Sequence, residues 1–428
     1  MTAAVLRLHA RTFASLRKHR NYRLFFGGQV VSLAGTWMQN LALAWFVVEL
    51  TDSALAVGGL AFCRFFPFMV FGLFAGVLAD RFDNRRLVIA TQTGQMAVSI
   101  ALAALAFSGW DSIPAAYALA LLGGVALVFD APGRQALTFQ MVGRDELPNA
   151  VALNTGLFNG ARIVGPAIAG VIIAVAGVGI CFAINAVSFL AVLAGLLMMR
   201  AEELFPVKQD RPKRALAAIR EGLEYARGND HVRLALTILA VISTVGLNFH
   251  VILPVLASDT LDVGPDVFGI LSACFGGGAL LGALLQAARG RASWKLLLIG
   301  ATGFSGGLLA MALADSVLAC AVLLFAVGVA FTLWIANTSS LLQLAAPDRL
   351  RGRVMSLFMF AFAGLAPIGG LFAGWLMEVG GTPLALAVGG ITSLAVTGYA
   401  WARRPTGAVA RPAEALLADD AAEGARAA

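Results

Sequence analysis

Between residues 25 and 399 the sequence is a succession of apolar runs, most of about eighteen residues or more, separated by short stretches that collect nearly all of its charge. A helix rises about 1.5 Å per residue, so each run can cross a hydrocarbon core about 30 Å thick. A chain in lipid must satisfy its own backbone hydrogen bonds, which leaves helices and closed barrels as spanning structures. The runs are continuous rather than alternating, which selects helices. Hydrophobic residues make up 59% of the 428 and charged ones 13%, against roughly a quarter charged in soluble domains. The pattern predicts an all-α membrane protein.

Cutting at charge clusters and Gly/Pro breaks gives about twelve spans: 22–50, 54–79, 87–107, 113–133, 148–177, 179–199, 234–257, 266–288, 294–314, 316–342, 352–378 and 383–402. The longest polar stretch, 200–233, divides them six and six. The expected organisation is an N-terminal segment (1–21), a first six-helix bundle (22–199), a central loop (200–233), a second bundle (234–402) and a tail (403–428). Within the central loop Leu216, Ile219, Leu223 and Ala226 recur at helical spacing beside charged residues. That is either an amphipathic helix on the membrane surface or a solvated linker helix.

Basic loops stay on the cytoplasmic side. With the N-terminus inside, every Lys and Arg falls at an inner segment except Arg64 and Arg162, while outer turns carry Asp52, Asp111, Asp259, Asp262, Asp266 and Asp315. Both termini are therefore expected in the cytoplasm of a bacterial cell, with the chain multi-pass in the inner membrane. The same rule, together with anionic lipid, accounts for the net charge of +7 without nucleic acid. Cys63, Cys181, Cys274 and Cys320 lie in apolar runs without CxxC spacing, so no disulfide framework or zinc site is expected. No short apolar segment with a cleavage site precedes the first run, so no cleaved signal peptide is expected.

The halves echo each other. "DELPNAVALN" from Asp145 and "DRLRGRVMSL" from Asp348 share Asp, Leu and Val in register, and Gly165-Pro166 is answered by Ala366-Pro367. Internal symmetry of this kind belongs to transporters built from repeats.

The stretch "GVLADRFDNRR" at 76–86 places Asp80, Arg81, Asp83, Arg85 and Arg86 in one inner loop. With Gly76 it resembles the signature loop of the major facilitator superfamily, and the resemblance extends through "NYRLFFGGQVVSLAGTWMQNLALAW", "FDAPGRQAL", "DELPNAVALNTGLFNGARIVGPAIAG" and "RGRVMSL" to the branch containing macrolide-efflux proteins and the enterobactin exporter. It implies two rocking bundles in which Gly76, Asp80, Arg81, Arg85 and Arg86 form a gating latch. Asp83 stands where a glycine is usual, a place for a tight turn that Asp and Asn tolerate. Gly165-Pro166 followed by Ala169-Gly170 resembles the GPxxGG element of family antiporters, with Ala169 in place of one glycine.

Charges inside a membrane are costly and point to function or to a partner. By helical rise Arg64 lies about 15 Å from the outer end of its span and Arg162 about 20 Å from the inner end of its own. Both approach mid-depth, with no carboxylate there. They either meet backbone, water and packing, or an anionic part of the cargo. Asp130, about 5 Å from its inner span end, is expected to pair with Arg134 or the latch. His250 is a candidate proton carrier or a hydrogen-bonded core histidine. Trp37, Gln39, Asn40 and Asn248 line a cavity or bond helix to helix. Gly303-Phe304-Ser305-Gly306-Gly307 fits GxSxG, but it lies in a span and lacks the strand-turn-helix context of a hydrolase elbow. No nucleotide-binding loop or HExxH is present.

The expected function is secondary export of an amphipathic small molecule, drug-like or siderophore-like, by alternating access in exchange for protons, as a functional monomer without cofactor. A proton-coupled importer is the alternative. An intramembrane enzyme or scaffold would be the reading from another class, and the spans hold no catalytic constellation for it.

Overall fold

The computed structural model describes residues 13–74, 82–206, 215–289 and 292–404. The first half runs through α1 (Ala14–Lys18), α2 (Arg20–Thr51), α3 (Ala54–Phe71), α4 (Asn84–Ser108), α5 (Ile113–Ala176) and α6 (Val178–Leu197). A linker helix, α7 (Ala215–Gly228), leads to α8 (Asp230–Val241), α9 (Phe249–Val255), α10 (Pro265–Arg289), α11 (Trp294–Met311), α12 (Val317–Ala345), α13 (Asp348–Met359) and α14 (Ala366–Arg403). Among the described residues there is no strand.

Among the described residues ten helical stretches are long and apolar enough to cross a membrane. Two of them are each two spans in length, divided by a glycine with positive φ: Gly143 (φ 70°) in α5 and Gly381 (φ 71°) in α14. Twelve traversals result, and both ends of the described chain fall on one face, the termini face. At Gly143 an added Cβ would also meet the Phe205 ring at 3.2 Å.

Span boundaries are set by caps. The side chains of Ser53, Ser112, Asn229, Ser293 and Ser316 accept hydrogen bonds from backbone N–H groups three residues on. Each cap of this kind contributes about 1 kcal/mol. Asp83 does the same for Arg86 N at the start of α4, with extended backbone (φ −63°, ψ 120°). It is a helix cap rather than a left-handed turn, because a carboxylate at a helix N-terminus both satisfies an orphan N–H and meets the positive end of the dipole.

Two departures from regular helix matter. Spans seven and eleven are not continuous: α8 passes through a π-turn (Ile242–Gly246) and a break at Leu247 and Asn248 before α9, and α13 passes through a π-turn (Phe360–Gly364) before α14. Pro367, at the start of α14, has no N–H to give to the preceding turn.

Within each half the helices pack on one another; between halves α5 lies against α10 and α3 against α14. These cross-half seams are made by glycine. A Cβ at Gly170 would stand 2.5 Å from Pro265 O, one at Gly269 2.6 Å from Pro166 O, and one at Gly58 2.6 Å from Gly370 O. Small residues let membrane helices approach to backbone contact.

Candidate functional site

The site lies between the halves at mid-depth, and its shape follows from which stretches are enclosed. Residues 41–48 of α2 and 251–257 of span seven are buried without a break. A helix buried on every side is sealed inside the protein. Toward the termini face α2 exposes Gly27, Val30 and Val31. The far face is closed by specific ties: Trp45 stacks on Phe268 with ring centroids 5.7 Å apart, and the Glu378 carboxylate accepts from the Ser53 hydroxyl and, at 3.2 Å, from Leu55 N–H. The space between the halves therefore opens to the termini face.

Arg162, from the second span of α5, reaches into a cluster supplied by both halves. Its guanidinium carbon lies 4.4 Å from the Phe275 ring centre, 5.3 Å from Phe331 and 5.7 Å from Trp37. Trp37 in turn meets Phe158 edge-on at 5.5 Å, and Phe158 is 47% exposed, so the cluster is open on that side. The Arg162 backbone is itself a contact point, since a Cβ at Gly276 would lie 3.0 Å from its carbonyl oxygen. Arg64, on α3, sits 6.0 Å from the Phe65 ring, and Phe65 lies 5.1 Å from the His250 ring of span seven. His250 is exposed, directly before the sealed residues 251–257. Among the described residues neither guanidinium donates to a carboxylate or carbonyl; their partners are aromatic faces. Cation–π contact holds a guanidinium in place and leaves its five N–H donors free.

Asp130 is elsewhere. The first span of α5 continues as helix to the break at Gly143, about 20 Å beyond Asp130. It is 1% exposed and accepts from Thr91 Oγ1 (2.8 Å), Gln92 Nε2 (2.9 Å) and Arg134, which also donates to Gln29 Oε1 at 2.6 Å. This network joins spans one, three and four inside the first half.

The polar candidates divide. Gln39 accepts from Asn185, which also donates to Ser99, so it bonds helix to helix. Asn248 donates to Thr244 O at 2.8 Å, while its Oδ1 and that of Asn40 are buried without a partner among the described residues. Gly165 packs on α2, where a Cβ would lie 2.6 Å from Trp37 Cβ, and Pro166 forms the seam with Gly269. Gly76, Asp80 and Arg81 lie outside the described residues. Arg85 donates to Leu196 O (2.9 Å) and Leu197 O (3.0 Å), and Arg86 is exposed. Arg85 thus caps the C-terminus of α6, a cation at the negative end of a helix.

Sequence reasoning missed Phe275, Phe331, Ser53 and Glu378. The phenylalanines are two among 28 in apolar text, and only the meeting of distant spans distinguishes them. Glu378, the one acidic residue in its span, was a signal that could have been read. Among the described residues no group of three or more His, Cys, Asp or Glu is placed to hold a metal.

The chain is similar to the staphyloferrin A transporter of Staphylococcus aureus, with 27% identity over 384 residues covering 88% of this chain and 94% of that protein. It is similar to macrolide efflux protein A of Streptococcus pyogenes, with 24% identity over 297 residues, 68% of this chain and 73% of that one. A solved mutant of the nucleoside transporter NupG superposes with a TM-score of 0.71 at 12% identity, over 90% of this chain and all of that one, and shows the shared fold. Residues 10–410 match the family described as transmembrane secretion effector. With two helical halves meeting at a central site and the match spanning nearly the whole chain, the protein belongs to the transmembrane secretion effector family of major facilitator transporters.

Proposed function

We propose that the protein exports an anionic, amphipathic small molecule across the bacterial inner membrane by alternating access, in exchange for protons. The observation that supports this most is the pair of mid-depth arginines, Arg64 and Arg162, held against aromatic rings with no anionic partner among the described residues. Their donors suit a carboxylate or phosphate, and the rings of Trp37, Phe158, Phe275 and Phe331 suit an apolar body. The similarity to a staphyloferrin A transporter and a macrolide efflux protein agrees with transport of a small molecule, and in the second case with efflux.

In this reading the termini face is cytoplasmic, and the conformation described is the one that loads cargo. Cargo entering from the cytoplasm neutralises the guanidiniums, the halves rock on the glycine seams, and the far-face ties open. The loop with Gly76, Asp80 and Arg81 serves as the cytoplasmic latch, with Arg85 and Arg86 at the start of α4. His250, beside Arg64, and Asp130 are the candidate proton carriers, and Asp80 acts in gating. One chain contains both halves of the site, so it acts as a monomer.

Two predictions test the frame. Leu313, 87% exposed on the far face, is expected to react with an impermeant thiol reagent in intact cells when changed to Cys. Arg403→Cys, at the end of span twelve, is expected not to. Labelling of the second and not the first reverses the orientation.

The Glu378 tie sets the balance of access states. A hydrogen bond to a charged group contributes about 1.5–3 kcal/mol. Glu378→Gln keeps the shape but not the charge, and is expected to raise the far-face-open population roughly tenfold, read as distances between spin labels on spans one and seven. An unchanged distance distribution would remove Glu378 from the gate.

A further inference from the structure

Outside the central site, the linker helix α7 does not lie free. Glu221 is paired with Arg349 (2.7 Å) and Arg353 at the start of span eleven, and the Tyr225 hydroxyl donates to Ala345 O at 2.5 Å. Clamped in this way, α7 forms one wall of a groove of about 290 Å³ whose other walls are α8 and the π-turn region of span eleven. The floor is apolar: Leu236 and Ala240 on α8 face Leu357, Phe360 and Leu365 on span eleven. Its rim is not. Arg227 and Arg233 stand at the mouth, both exposed. Arg233 donates to Asp230 Oδ1 (2.6 Å) and to Arg227 O (3.0 Å), so it caps the last turn of α7. Arg227 has no ion pair among the described residues, so one full positive charge at the mouth is unmatched.

We infer that this groove is a binding site for one anionic phospholipid of the termini-side leaflet, its phosphate at Arg227 and Arg233 and an acyl segment along Leu236, Ala240 and Phe360. Three features select this occupant. Arg227 and Arg233 flank the start of span seven, which is headgroup depth, and the apolar lining continues from there along spans seven and eleven. The rim is cationic and the floor apolar, the pairing that an anionic lipid complements. Its volume admits part of a single chain and no folded partner. A lipid seated there touches α7, α8 and the π-turn of span eleven together, and so joins the linker to the two irregular spans of the second half. The groove shares no lining residue with the Arg64 and Arg162 clusters, and the inference does not depend on the direction of transport.

The test uses the full-length purified protein, equilibrated in detergent with dioleoylphosphatidylglycerol or dioleoylphosphatidylcholine and read by native mass spectrometry. One equivalent of the anionic lipid is expected to be retained several-fold more tightly than the zwitterionic one. Each surface arginine contributes roughly fivefold to anionic lipid attraction, so Arg227→Gln with Arg233→Gln is expected to remove most of that preference. Arg227→Lys, which keeps the charge, is expected to preserve it. Ala240→Leu, which fills the floor, is expected to lower retention of both lipids. Equal retention of the two lipids by the unaltered protein, or an unchanged preference in the double variant, would overturn the proposal. So would full competition by glycerol 3-phosphate, which would make the site one for a soluble phosphate.

Discussion

Arg162→Met is expected to weaken binding of acidic amphipathic compounds by roughly ten- to a hundredfold, while leaving the melting midpoint unchanged or higher. A hydrogen bond to a charged group contributes about 1.5–3 kcal/mol, which is that range of affinity. The protein loses little in return, because among the described residues Arg162 bonds no carboxylate or carbonyl and its contacts with Phe275, Phe331 and Trp37 are ones methionine also makes. Holding an unpaired guanidinium at mid-depth costs stability, and removing it relieves that cost. Affinity and stability should therefore move apart. Binding of neutral compounds should change much less, and equal losses for acidic and neutral compounds would assign Arg162 to packing instead.

Asp130→Leu has the opposite signature. It removes the acceptor shared by Thr91, Gln92 and Arg134 in a place almost closed to solvent. Breaking a buried ion pair costs about 3–5 kcal/mol, because the remaining charge is left uncompensated. The Arg134 side chain keeps 24% exposure, which places the expectation near the lower end, about 3 kcal/mol. Replacing both partners, Asp130→Leu with Arg134→Met, should recover most of that loss. The double variant also separates structure from proton transfer. If Asp130 carries the proton, the recovered protein transports its cargo downhill only; if Asp130 is structural, uphill transport returns with stability.

The contrast between these two residues shows what was legible in the sequence. Their charge and depth could be estimated from span limits, because a membrane sorts charge strictly and helical rise converts sequence position into depth. The twelve traversals were legible for the same reason. The partners were legible only in part: the pairing of Asp130 with Arg134 was expected and is present. Thr91, Gln92 and Gln29 join this pair only because spans three and one pack on span four, which apolar periodicity does not show. The resemblance implies that Arg85 is part of a latch, and the bonds its guanidinium gives to the end of α6, more than a hundred residues away, have no signature in the sequence. The π-turns at Ile242–Gly246 and Phe360–Gly364 have no signature in apolar periodicity, yet one lies just ahead of His250 and the other forms part of the groove beside α7. Such irregular turns often mark functional positions. The aromatic side of the site was hidden in a different way: a phenylalanine in a membrane run gives no sign of whether it faces lipid, a neighbour or cargo.

The central claim is that cargo leaves the cytoplasm at the expense of a proton gradient. A proton moving down about 100 mV releases about 2.3 kcal/mol, and one pH unit adds about 1.4. One proton per cargo molecule then sustains at most a few-hundredfold gradient of a neutral compound. The direct measurement uses vesicles containing only the purified protein, with a compound identified by its accumulation in cells lacking it. Under an imposed proton gradient the compound is expected to move uphill against the direction of the proton, and an ionophore that collapses the gradient is expected to abolish the accumulation. Uphill movement that persists after collapse, or cargo that moves in the same direction as the proton, would contradict the account.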